Sequence, residues 1–73
     1  MNKKIKIDQL IIEAHSKNDR ENLIKLYFEA SKLFSKIEEI SFFLTQAYVF
    51  SLDVGDDIES KKLFYMLKQH SRI

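Results

Sequence analysis

Apolar residues recur along this chain with a helical period. Ile7, Leu10, Ile11 and Ala14 fall at i, i+3, i+4 and i+7, one face of a helix. The spacing predicts a first helix over about 5–16, with Ile5 and Ile12 off its inward face and Lys17-Asn18 ending it. A second helix is expected over 19–34, with Asn18 as N-cap and Glu21 completing a capping box. Its inward stripe is Leu23, Leu26, Tyr27, Ala30, Leu33 and Phe34. Ile24, Phe28 and Ser31 form a second stripe about a third of a turn away.

Ser35-Lys-Ile-Glu38 reads as another capping box before an apolar run, so a tight turn is expected near Ser35 and Lys36. The alternative is one long helix from Asp19 to Val54. The third helix, over 37–54, contains the uncharged stretch Ser41–Phe50, which holds three of the six Phe. Ile37, Ile40, Phe43, Leu44, Ala47, Tyr48, Phe50, Ser51 and Val54 share one broad face. Phe42, Val49 and Leu52 lie on the other side with Thr45. A helix apolar on two sides is either central to the fold or docks a partner. If the first helix covers the Phe42–Val49 side, the domain is self-contained; if not, a partner is expected there.

Gly55 supplies a left-handed C-cap, and Asp56-Asp-Ile-Glu59 opens a fourth helix reaching about Ser71. Ser60, Leu63, Phe64 and Leu67 are expected inside. Tyr65, Met66 and Ile73 lie off that stripe. Lys68, His70 and Arg72 in the last turn complement the helix dipole.

Composition agrees with this pattern. The chain has 73 residues, no Pro and one Gly, which suits a single all-α domain over 1–73. The expected architecture is four helices as two antiparallel hairpins, 5–34 and 37–71. A chain this short buries only about 60% of its unfolded surface, and without Cys no disulfide can compensate. Net charge is +1, so no global field drives it onto nucleic acid or membrane. The basic start Met1–Asp8 is interrupted by Asp8, Gln9 and Glu13, so no signal peptide is expected. No apolar run approaches the roughly 20 residues needed to span a bilayer. A cytoplasmic protein without membrane insertion is the expectation.

The two predicted hairpins resemble each other. His15–Ala30 aligns with Leu52–Leu67 at a spacing of 37 residues, which pairs Asn18-Asp19 with Gly55-Asp56 and Tyr27 with Phe64. Ala47-Tyr48, Gly55-Asp56 and Phe64 resemble the second half of a tetratricopeptide motif, where a Gly-Asp turn joins two helices and an aromatic packs back. The signature Trp, the Leu-Gly pair and the closing Pro of that motif are missing. The resemblance implies a protein-binding scaffold. Phe42–Phe50 is also similar to a segment of small bacterial helical proteins of no assigned activity. Two hairpins fall below the three or so repeats of a stable solenoid, so self-association or a compact bundle is expected.

Chemistry is sparse. His15 and His70 lack the spacing and companions of a metal site, and Asp53–Glu59 lacks the alternation of a calcium loop. No nucleophile–base pair or phosphate loop is present, so no catalytic residue, cofactor or metal is expected. Lys3, Lys4 and Lys6, with Lys61, Lys62, Lys68 and Arg72, support an alternative reading as a nucleic-acid-associated regulator. The favoured reading is a non-catalytic protein-interaction module with a protein partner or a second copy. Its expected anchors are Ile24, Phe28, Phe42, Val49, Tyr65 and Met66, since aromatic and Met side chains are enriched in interface cores.

Overall fold

The computed structural model describes residues 2–71, with side chains as far as residue 69. Four helices follow one another: α1 (Lys3–Ser16), α2 (Arg20–Ser31), α3 (Ile37–Asp53) and α4 (Asp57–Ser71). The chain therefore breaks between α2 and α3, and the single long helix does not form. His70 as a side chain, Arg72 and Ile73 lie outside the described residues.

The helix ends correct two capping expectations. Asn18 is not the N-cap of α2; it takes φ 54°, the left-handed residue that closes α1. Asp19 caps α2 instead, its Oδ1 accepting from the Asn22 amide at 3.4 Å. Ser35 does not cap α3: that position belongs to Lys36, which makes no side-chain capping bond. Asp56 does cap α4, accepting from the Glu59 amide at 3.1 Å.

The turns α1–α2 and α3–α4 are the same backbone structure displaced by 37 residues. The Asn18 amide donates to the His15 carbonyl and the Asp19 amide to that of Ala14; Gly55 and Asp56 donate likewise to Leu52 and Ser51. This double bond is the Schellman motif, and it requires a left-handed residue at its corner. Asn18 and Gly55, at φ 54° and φ 76°, fill that corner. The aligned dipeptides Asn18-Asp19 and Gly55-Asp56 thus encode one local structure.

Each helix packs on its neighbours in sequence, α1 on α2, α2 on α3 and α3 on α4. Lys4 lies over the Phe34 ring at 4.5 Å, so the start of α1 meets the end of the α2 segment. Arg20 pairs with Asp53 at 2.9 Å, joining the start of α2 to the end of α3. The result is a slab whose Cα atoms span 31 × 28 × 13 Å. Ile24, Leu44, Ala47, Leu63 and Leu67 form one core cluster across α2, α3 and α4. Ile11, Ala14, Leu23 and Ala30 form a second across α1 and α2, closed by Phe43 and Phe50 of α3. Burial of each large side chain contributes about 1.5–3 kcal/mol, so α3, which serves both clusters, anchors the fold.

Three residues expected inside are exposed: Leu10, Ile37 and Phe64. Leu10 lies on α1, which packs mainly on α2 and meets α3 only through side chains such as His15, and Ile37 starts α3 at the rim of the slab. Among the described residues no helix is long and apolar enough to cross a membrane.

Candidate docking surface

The six expected anchors do not form one surface. Ile24 is 5% exposed and belongs to the core cluster with Leu44 and Leu63, so it is not a surface anchor. The stripe reading missed this because α3 packs on that side of α2 and Leu63 and Leu67 of α4 complete the cluster around Ile24. Phe28 is half-buried beside it, with Lys32 and Lys62 over its ring at 4.6 and 4.7 Å. Those lysines also pair with Glu29 at 3.4 Å and Glu59 at 3.3 Å. Phe28 thus floors a groove between α2 and α4 whose rim sets Glu21, Glu29, Asp56 and Glu59 against Lys25 and Lys62. Met66 is half-buried against the same core.

Phe42 and Val49 are 55% and 51% exposed on the outer side of α3. The first helix does not cover them. It meets α3 along a different line, where Ile7 and Ile11 face Phe34 and Phe43 across an apolar groove. Ile5 and Ile12, on α1, stand exactly one repeat spacing before Phe42 and Val49 and are exposed as well.

Tyr65 is the most open of the anchors, at 66%. It stands beside two aromatics that the sequence reading placed inside. Phe64 is 37% exposed, its ring 6.4 Å from that of Tyr65. Tyr48 of α3 is half-buried, 6.0 Å from Phe64. With Ser60 and Lys61 these three line a shallow groove along the free edge of the α3–α4 hairpin. Lys68 lies over the Phe64 ring at 5.6 Å.

The 37-residue repeat explains this edge. Subtracting 37 from Tyr48, Ser60, Lys61, Phe64 and Tyr65 gives Ile11, Leu23, Ile24, Tyr27 and Phe28. All five of those pack within the two clusters that join the first hairpin to α3 or α4. Tyr27 stacks on Phe50 with centroids 5.9 Å apart and an interplanar angle of 13°. The free edge of the second hairpin therefore repeats the surface through which the first hairpin is covered. The signal was present in the sequence as the Tyr27–Phe64 match, which marks equivalent positions but not which of them is covered.

The remaining chemistry is local. His15 Nε2 and the Tyr27 hydroxyl are 2.8 Å apart, and the His15 ring packs edge-on against Phe50. Burial, reinforced by the Asp8 carboxylate, raises the Tyr27 hydroxyl above its ordinary pKa. Among the described residues no three His, Cys, Asp or Glu side chains gather to hold a metal ion. No protein-family model, no curated protein and no solved structure matches the chain.

Proposed function

We propose that this protein is a small helical interaction module that binds another protein through the free edge of its α3–α4 hairpin. The observation that supports the reading is the aromatic set Tyr48, Phe64 and Tyr65. Phe64 and Tyr65 stand exposed beside the half-buried Tyr48, at positions whose counterparts in the first hairpin are packed under the second. Monomers rarely leave contiguous aromatic surface uncovered without a use for it. A tetratricopeptide-like scaffold, as the sequence resemblance implies, would dock partners on such surfaces. The rival reading, a nucleic-acid-associated regulator, has less support, because net charge is only +1 and Lys62 of its basic set is already paired with Glu59.

Affinity capture with three baits tests the proposal: the natural chain, Tyr65→Ala, and Ile12→Ala on the outer side of α1. A specific partner is expected with the natural chain and with Ile12→Ala, and is expected to be lost with Tyr65→Ala. Capture that all three baits share equally, or binding that needs nucleic acid and collapses with salt, would overturn it.

A further inference from the structure

The occupant of this edge can be specified from the way the second hairpin occupies the equivalent surface of the first. Two of the differences between the surfaces introduce charge, and a third puts Ser60 where the first hairpin has the buried Leu23. Ile24 and Ser31, both buried in the first hairpin, are replaced one repeat later by Lys61 and Lys68. The aromatic positions are kept, with Tyr27 and Phe28 becoming Phe64 and Tyr65. The edge has thus kept its aromatic pair, exchanged two buried aliphatic positions for Ser60 and Lys61, and gained two cations.

In the first hairpin the covering helix is α3. It delivers Phe43, Ala47 and Phe50, at i, i+4 and i+7, to the side where Tyr27 lies. An equivalent ligand would bring an apolar stripe with the same spacing. It would also have to satisfy the ammonium groups of Lys61 and Lys68 as they lose water, because an unpaired charge at a contact is costly.

In the register of the internal repeat, a second copy of the chain does not meet these requirements. Head-to-tail stacking would place α1 on the edge. The residues of α1 one repeat before Phe43, Ala47 and Phe50 are Lys6, Leu10 and Glu13, so a lysine and a glutamate replace the two aromatics. Stacking tail-to-tail about a two-fold axis would bring the same cations, Lys61 and Lys68, from both copies into one contact.

We infer that the Tyr48–Phe64–Tyr65 edge receives an acidic amphipathic helix of a different protein. That helix carries large apolar residues at i, i+4 and i+7, flanked by Asp or Glu facing Lys61 and Lys68. This rests on the interaction-module reading and adds the partner's chemistry to it.

Two synthetic helical peptides test it, with the same Phe and Leu stripe at i, i+4 and i+7. One is flanked by Glu and the other by Lys. Binding is followed by backbone amide NMR shifts. The Glu peptide is expected to bind at least about tenfold more tightly, as complementary rather than like charges meet. Its shifts are expected at Tyr48, Lys61, Phe64 and Tyr65. The double variant Lys61→Glu/Lys68→Glu, with an unchanged circular dichroism spectrum, is expected to reverse the preference. Equal affinity for both peptides overturns the inference, as do shifts centred on Phe42 and Val49. So does a dimer in light scattering that Tyr65→Ala dissolves. If neither peptide binds while Tyr65-dependent capture persists, the acidic-helix inference fails and the interaction module stands.

Discussion

Tyr27 and Phe64 occupy the same place in the two halves of this chain, and only one of them is covered. The Tyr27 ring stacks on Phe50 at 5.9 Å and its hydroxyl meets His15. Phe64 touches Tyr48, Tyr65 and the Lys68 ammonium, and its outer side is open. The difference comes from position in the slab: Tyr27 has a hairpin after it, and among the described residues Phe64 has none.

Val49→Asp is expected to leave the fold intact. Its side chain is half exposed on the outer side of α3 and belongs to neither core cluster. Such surface changes usually fall within about 0.5 kcal/mol. Leu44→Ala, at a fully buried position of the same helix, should cost about 2–5 kcal/mol. Urea denaturation of the two variants separates them, and unfolding by Val49→Asp would show that this side is covered.

Gly55→Ala is expected to destabilise by about 1–2 kcal/mol, the cost of the left-handed conformation for a residue with a side chain. A Cβ built at Gly55 meets nothing within 4 Å, so the backbone alone bears the cost. Gly55→Asn should cost less, since Asn18 already occupies the equivalent corner at φ 54°. Thermal melts of both variants check the order.

Alkaline pH is expected to weaken the fold through Tyr27. Its pKa is raised in the folded state, so the neutral hydroxyl is favoured there. That contribution is complete below the unfolded value of about 10 and is lost as pH rises through the higher folded value. Denaturation between neutral and strongly alkaline pH should show stability falling above that point. Tyr27→Phe should lose the His15 bond at neutral pH and show a shallower alkaline decline.

Asp53→Asn removes the ion pair to Arg20, which ties α2 to α3 at 2.9 Å. Both side chains are about half exposed, so the loss should be at most about 1 kcal/mol. The difference from the natural chain should shrink as salt is added. A salt-independent difference would point to packing rather than charge.

Much of the fold was legible in the sequence because its signals are local. Apolar period, the Gly55 corner and the Asp56 cap each act within one or two turns of backbone, and they fixed the number of helices and their approximate limits. The placement of Asn18 was misread because Asn suits both an N-cap and a left-handed corner. Choosing between them depends on where the preceding helix ends. The break before α3 was legible as a turn, but its capping residue was not.

Which apolar side chains are covered was decided by tertiary structure. Ile24 and Lys61 stand one repeat apart, yet Ile24 is buried because α3 and α4 close over it, while Lys61 lies at the slab's free edge. A helical wheel gives the direction of a side chain but not what lies in that direction. The sequence by itself determined four helices, two matching turns and a helix apolar on two sides. Only the packing of α1, α2, α3 and α4 decided that Phe42, Val49, Phe64 and Tyr65 remain exposed, because burial depends on which helix lies opposite.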